Sequence, residues 1–286
     1  MRKIVHLSDV HFGTADPAVT ELVVSKINEI SPDVVVVSGD LTQRAKSIEF
    51  KQARAFLDRL PKPQIVVPGN HDVPLYNVFD RFLRKLDKFE KYITDDLTPT
   101  FIDEEIAIVG VNTARSLTIK GGRISEEQTH YIQSQLRNLS DDMLKVVVTH
   151  HPFDLPDGHD EDDVVGHAER AIHMIADCGG DVFLAGHLHV SNIETTANRY
   201  KLPNGRVALI IQAGTATSAR VRGEPHSFNL IQFDNPWLRI ERLECRSVAD
   251  GFRPAEHKIY KQTENGWARI NRETMNLWMT ITTTVG

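Results

Sequence analysis

A chain of 286 residues, 41% hydrophobic and 25% charged, has the make-up of a soluble globular protein and is long enough to bury a substantial core. Its net charge of −6 argues against the broad basic face of a nucleic-acid-binding protein, and no nucleic-acid partner is expected. No stretch reaches the ~20 consecutive apolar residues of a membrane span, and the two cysteines, Cys178 and Cys245, stand in no metal or redox spacing. Read as unpaired thiols, and with Met1-Arg2-Lys3-Ile4 passing directly into a strand, they point to a cytoplasmic protein without a signal peptide.

The first strand is expected over residues 3–8, a short apolar run ending in Asp9-Val10-His11-Phe12-Gly13. Residues i and i+2 of an extended segment point the same way, so Asp9 and His11 can hold one ion. Residues 17–30 read as a helix, with Asp16 as N-cap, Val19, Leu22, Val23, Ile27 and Ile30 on one face, and Ser31-Pro32-Asp33 as the break. The four valines 34–37 form a strand buried on both faces, which marks a central parallel strand, and it ends in Ser38-Gly39-Asp40. A helix over 47–60 is stopped by Pro61-Lys62-Pro63, and the strand 64–67 runs into Pro68-Gly69-Asn70-His71-Asp72.

Residues 74–92 form a mixed helical stretch with Phe79, Phe82, Leu83, Leu86 and Phe89 on one side. Its basic residues (Arg81, Arg84, Lys85, Lys88 and Lys91) read as a solvated face. Strands at 99–102 and 106–111 pair antiparallel across Asp103-Glu104-Glu105; Asn112-Thr113-Ala114-Arg115 follows, then a loop at 120–123. Ser125-Glu126-Glu127-Gln128 is a capping box opening a helix to about Leu139. The strand 145–149 ends in His150-His151-Pro152 and leads into a polar loop, 153–166, that holds Asp154, Asp157, Asp160, Glu161, Asp162 and Asp163. Following His150 directly, this loop is placed to overhang whatever site His150 belongs to. A helix over 167–178 stops at Gly179-Gly180, and the strand 182–185 ends in Gly186-His187-Leu188-His189. Beyond Asn192 the chain turns antiparallel, with strands at 193–196, 207–212, 227–233, 238–244 and 256–262. Residues 271–286 read as a loose tail.

Strand ends from distant parts of the chain thus deliver Asp9, His11, Asp40, Asn70, His150, His187 and His189 to one edge of a sheet. Carboxylate, amide oxygen and imidazole together suit Mn, Fe, Zn or Co better than Ca or Cu(I). Two such ions ~3.5–4 Å apart make a nucleophile from water and stabilise an in-line displacement at phosphorus. His6, His130, His173 and His226 stand outside these blocks and read as structural or surface residues.

The blocks Asp9-Val10-His11, Gly39-Asp40, Gly69-Asn70-His71-Asp72, His150-His151-Pro152 and Gly186-His187-Leu188-His189 resemble, in order, the motifs of the calcineurin-like metallophosphoesterase superfamily. The resemblance implies an α/β fold: a four-layer α/β/β/α sandwich of two mixed sheets flanked by helices, here one domain over 1–270. It further implies two metal ions. Asp9, His11 and His189 would hold one, and Asn70, His150 and His187 the other, with Asp40 bridging and a hydroxide between the ions as nucleophile. By the same resemblance His71 protonates the leaving oxygen while Asp72 holds its ring, and His150 rather than His151 is the ligand of its pair.

Within the superfamily, Gln43 replaces the tyrosine of the purple acid phosphatases, and the acidic composition does not suit the DNA nucleases. Gly39-Asp40-Leu41-Thr42 with Gly69-Asn70-His71-Asp72 looks most like the bacterial cyclic-nucleotide phosphodiesterase branch. The expected activity is therefore a phosphodiesterase, with 3',5'-cyclic AMP as the lead substrate. A phosphomonoesterase, a broad-specificity esterase and a non-catalytic protein-binding scaffold are the alternatives, and a homodimer is allowed. Beyond the metals, Asn112, Arg115, Arg123, Arg220 and Arg222 are the candidates for holding phosphate or base, Asn112, Arg220 and Arg222 first among them. The arginines are equally matched to the acidic residues at 154–163.

Overall fold

The computed structural model describes residues 1–74, 86–115, 121–202, 204–218 and 223–270. β1 (Arg2–Leu7), β2 (Val34–Ser38) and β3 (Gln64–Val67) pair in parallel, linked by α1 (Pro17–Ile30) and α2 (Ser47–Leu57). Asp16 opens α1 by accepting from the backbone N–H groups of Ala18 (2.8 Å) and Val19 (3.2 Å), and Ser31 closes it at φ 50° ahead of Pro32. α3 (Asp87–Tyr92) precedes the second sheet. There β4 (Thr100–Ile102) pairs antiparallel with β5 (Ile106–Gly110), and β5, β6 (Leu144–Val148), β7 (Val182–Ala185) and β9 (Leu209–Gln212) run parallel. α4 (Glu126–Leu136) and α5 (Ala168–Ala176) make crossovers, and β8 (Asn192–Thr195) closes that edge antiparallel to β9. Four antiparallel strands, β10 (His226–Asp234), β11 (Trp237–Cys245), β12 (Arg253–Thr263) and β13 (Gly266–Arg269), then extend the first sheet from β1.

The result is a seven-stranded mixed sheet, β13-β12-β11-β10-β1-β2-β3, and a six-stranded mixed sheet, β4-β5-β6-β7-β9-β8. Strand alternation sorts the side chains into layers. Ile4, Val34, Val36, Ile65 and Val67 face Ile108, Val146, Val148 and Leu184 between the sheets. Val5, Leu7, Val35 and Val37 turn outward to Val19, Val23 and Ile27 of α1 and Phe50 of α2. On the other side Val109, Val147 and Phe183 meet Ile132, Leu136, Ile172 and Ile175 of α4 and α5. The order of layers is α/β/β/α. At ~1.5–3 kcal/mol for each buried aliphatic side chain against ~0–1 for an exposed ion pair, these apolar layers hold the fold.

All the parallel strands of both sheets end on one edge, and their exits are tied together there. Asp9 N–H donates to Gly39 O (3.2 Å), His11 N–H to Asp40 O (2.9 Å), Gly186 N–H to His150 O (3.0 Å) and Ala216 N–H to Ser8 O (3.1 Å). Several boundaries differ from the sequence expectations. α2 ends at Leu57, three residues early, in a turn that reaches Leu60. Of the helical stretch expected over 74–92, residues 75–85 lie outside the described residues, and Asp87–Tyr92 is helical. β13 was not anticipated; four residues carry too little alternation, although Asn265-Gly266 marks its hairpin. The tail 271–286 lies outside the described residues.

Candidate metal centre

The seven strand-end side chains meet at the shared edge in two groups. In the first, Nε2 of His11 and Nε2 of His189 each lie 3.5 Å from Oδ1 of Asp9, and the two rings stack 5.0 Å apart. In the second, Oδ1 of Asn70 lies 3.0 Å from Nε2 of His150 and 3.0 Å from Nδ1 of His187. Asp40 stands between them, with Oδ2 3.6 Å from His11 Nε2 and Oδ1 3.4 Å from His150 Nε2. All but His189, which is slightly exposed, are buried.

The backbone bends sharply to bring them there. Asp9 (φ 55°), His11 (51°), Asp40 (52°), His187 (75°) and His189 (62°) all take the left-handed conformation, which costs a non-glycine residue ~1–2 kcal/mol. Asp and His tolerate it better than most, and such strain concentrates at functional sites. Gly69 is required by proximity: a Cβ there would sit 2.1 Å from Oδ1 of Asp40.

The imidazoles are oriented by bonds to their outer nitrogens. Nδ1–H of His150 donates to Ser38 O (2.7 Å) and that of His11 to Thr42 O (3.3 Å), while Nδ1 of His189 lies 2.8 Å from Thr215 Oγ1. Each Nε2 therefore turns to the centre. His187 is reversed, with Nδ1 inward and Nε2 3.6 Å from Oδ1 of Asp163. Oδ1 of Asp9 and Nε2 of His11 are buried with no hydrogen-bond partner. Such orphaned atoms are expected where a cation belongs, and donor separations of about 3.0–3.5 Å suit bonds of about 2.1 Å. The Asp9/His11/His189, Asp9/Asp40/His150 and His150/His151/His187 sets each bring their ligand atoms close enough for one ion.

Charge in the centre is balanced by ion pairing. Burial would raise the Asp9 and Asp40 carboxyls, but the neighbouring histidines, His189 and His11 for Asp9, His150 and His71 for Asp40, hold both below the usual range. Burial opposes charge on His150, yet Asp40, Asp9 and the Ser38 carbonyl outweigh it and push its pKa up to about 9. His11 is raised against its burial by Asp9 and Asp40.

His71 lies at the rim, half-buried, its ring edge-on to His11 at 4.9 Å. Its Nδ1–H donates to Gln43 O (2.9 Å), so Asp72 does not hold this ring as the resemblance implied. The Asp72 carboxylate instead accepts from the N–H groups of Leu41 (3.2 Å), Thr42 (2.9 Å) and Gly69 (2.9 Å) and from the Thr42 hydroxyl (2.9 Å). It pins the loop carrying Asp40 to the loop carrying Asn70. Burial and the Asp40 charge push its pKa up to about 6.

Asn112 is drawn elsewhere: its Oδ1 accepts from Ala114 N–H (2.8 Å) in an Asx turn. Its neighbour Thr113, not singled out from the sequence, puts Oγ1 2.9 Å from Nδ1 of His151. Arg220 and Arg222 lie outside the described residues. His6 is the structural histidine it reads as, with Nε2 2.9 Å from Ser38 Oγ and burial lowering its pKa to about 3.

The family model for calcineurin-like phosphoesterases matches residues 2–191. Over 271 residues, 85% of this chain and 91% of the relative, the sequence is 24% identical to the glycerophosphodiester phosphodiesterase GpdQ of Enterobacter lignolyticus. A probable glycerophosphodiester phosphodiesterase GpdQ of Arcobacter nitrofigilis is 28% identical over 163 residues, 55% of this chain and 57% of the relative. Among solved structures, a dimetal phosphatase from Danio rerio superposes with a TM-score of 0.62 at 14% identity, over 93% of this chain and 99% of its own. A purple acid phosphatase from yellow lupin seeds superposes with a TM-score of 0.64 at 13% identity, over 90% of this chain and 53% of its own. These likenesses at low identity concern the fold, which is that of the two mixed sheets described above. With the family model covering strands β1 to β7 and every strand end of the centre, the chain belongs to the calcineurin-like phosphoesterase family.

Proposed function

We propose that the chain is a dinuclear metal-dependent phosphodiesterase. The observation that carries this reading is the Asp40 carboxylate, whose two oxygens face two separate groups of ligands. Asp9, His11 and His189 hold one ion, Asn70, His150 and His187 the other, and Asp40 bridges. Oxygen and imidazole donors without thiolate suit Mn or Fe, with Zn and Co next. When bound, such a pair supplies an activated water and neutralises charge on the phosphoryl oxygens for in-line displacement. The chain's own contribution to bond breaking is His71. With Nδ1 turned to Gln43 O, Nε2 is the ring nitrogen left at the rim to pass a proton to the departing oxygen.

The glycerophosphodiester phosphodiesterase relatives favour a diester over a monoester as substrate. 3',5'-Cyclic AMP remains the finer proposal, resting on the Gly39–Thr42 and Gly69–Asp72 blocks alone. One domain over 1–270 belongs to the same reading, since Ile4 and Trp267 share the core between the sheets. So does a cytoplasmic location; no helix among the described residues is long and apolar enough to cross a membrane.

The test is hydrolysis by metal-stripped protein refilled with Mn(II), against bis-p-nitrophenyl phosphate, p-nitrophenyl phosphate, glycerophosphocholine and cyclic AMP. Diester turnover exceeding monoester turnover at least tenfold is the expected result. Monoester preference would replace the reading by a phosphomonoesterase, and silence with every metal would leave the non-catalytic scaffold.

Metal uptake is also expected to release protons. His150, raised to about 9, is charged in the metal-free protein at pH 7.5 and must lose that proton to become a ligand. Metal affinity should therefore fall as pH falls from about 9, and mixing Mn(II) with the stripped protein at pH 7.5 in weak buffer should acidify an indicator dye by roughly one proton per chain. Uptake without acidification would contradict the charge assigned to this centre.

A further inference from the structure

On the His187 side of the centre a cleft of about 1290 Å³ runs outward between two walls of opposite charge. Arg115, Arg123, His167 and Arg170 line one wall, and residues 160–163 the other. Both begin at the neighbouring rings of His151 and His187, 4.6 Å apart. A Cβ on Gly122 would fall 2.1 Å from Nδ1 of His151, so the backbone just before Arg123 lies against that ring. Across the cleft, Asp163 Oδ1 is 3.6 Å from His187 Nε2. The cleft therefore borders the His187 side of the centre, beside any substrate held there.

The cations of the cleft are not equivalent. Arg170 is paired with Glu126, and Arg199 with Glu161 and Asp154. The acidic loop is thus met by Arg199, not by Arg115 or Arg123. Among the described residues, the other half-buried arginines, Arg2, Arg54, Arg206, Arg239 and Arg242, each have a carboxylate within 4 Å. Arg115 and Arg123, also half-buried, have none; Arg123 gives its Nε–H to Nδ1 of His167 (3.2 Å), whose pKa is lowered by burial and by the surrounding arginines. Burial and the like charge of Arg123 lower the Arg115 pKa, the mark of a cation short of an anion. Two like-charged guanidiniums lining one cleft, with no carboxylate within 4 Å among the described residues, favour an anionic ligand between them.

We propose that Arg115 and Arg123 form a subsite for a second phosphate group of the substrate, a phosphomonoester dianion carried on the part of the diester that lies beyond the scissile bond. Two guanidinium forks match a dianion in charge and in the bidentate geometry of its oxygens, where a single carboxylate would leave one cation unanswered. The proposal rests on the phosphodiesterase reading of the same centre.

Two chromogenic diesters test it: thymidine 5'-(p-nitrophenyl phosphate) with and without a 3'-phosphate, which share one scissile bond and one leaving group. The Mn(II)-loaded enzyme is expected to show a KM about tenfold lower for the 3'-phosphorylated compound. Arg115→Gln/Arg123→Gln raises that KM to the value for the unphosphorylated compound, while Arg170→Gln, whose charge Glu126 already neutralises, keeps the wild-type preference. Equal KM values in the wild type, or a preference surviving in the double variant, overturn the subsite and leave the phosphodiesterase standing. Calorimetric titration of the metal-loaded wild type with thymidine 3',5'-bisphosphate and thymidine 5'-monophosphate reads the same subsite without turnover. A tenfold preference for the bisphosphate with neither ester hydrolysed would keep the subsite and remove the phosphodiesterase, and equal affinities would remove the subsite. A succinate ester at the 3' position in place of the phosphate separates dianion from carboxylate recognition: an equal gain in KM would overturn the choice of phosphate.

Discussion

Asp40→Asn is expected to lower bound metal from two ions per chain toward none and hydrolysis by at least ~10³-fold, with the fold intact. The substitution is chosen because it changes so little else. Asn tolerates the left-handed backbone at φ 52° as well as Asp does, whereas Ala would add strain. The amide oxygen still accepts from the His71 N–H, a bond of 2.9 Å in the wild type, so the Asn70–His71 loop stays in register. What disappears is the negative charge and the second equivalent oxygen that let one side chain serve both groups. Removing it also leaves His150 with Asp9 as its remaining carboxylate influence, so the His150 pKa drops back toward its ordinary value. Metal content by elemental analysis, rate with bis-p-nitrophenyl phosphate and far-ultraviolet circular dichroism together decide the matter. A folded Asp40→Asn protein that retains two ions and wild-type turnover would remove Asp40 from the bridging position.

The positions of the seven side chains proposed as ligands were legible in the sequence because each follows a short β-branched strand and an abrupt turn. A parallel strand delivers its last residues to the same edge as its neighbours, so order along the chain carried the information. Less legible were the groups that hold those side chains in place. Gln43 O reaches His71 from 28 residues away, Ser38 O reaches His150 from 112, and Asp163 meets His187 from a loop with no periodicity. Such contacts depend on how loops fold over a finished sheet edge and leave no spacing to read. Asp72 shows the same limit: the family resemblance implied a ring partner for His71, but a short 3₁₀ turn over Asn70–Asp72 sends its carboxylate to the Gly39–Thr42 loop instead. Asn112 has a local role that its spacing did not suggest, since its Oδ1 accepts from a backbone N–H two residues on.

His71→Ala should separate chemistry from metal binding. The His71 ring touches neither ligand group through a nitrogen that faces the metals: Nδ1 is bound to Gln43 O, and the contact with His11 is edge-on at 4.9 Å. Both ions are therefore expected to remain, with Asp40 losing no donor because the bond it receives is from the His71 backbone. The loss falls on the rate, and its size depends on how badly the leaving oxygen needs a proton. General-acid assistance contributes ~10²–10⁴-fold for an alkoxide leaving group. p-Nitrophenolate leaves with little help, and about a tenfold loss is expected there. The ratio of the two rates, glycerophosphocholine or cyclic AMP against bis-p-nitrophenyl phosphate, should consequently fall by ~10-fold to ~10³-fold in His71→Ala while metal content stays at the wild-type level. Equal losses with both leaving groups would make His71 a residue that only steadies substrate or water, and a loss of metal as complete as that of Asp40→Asn would make it a ligand.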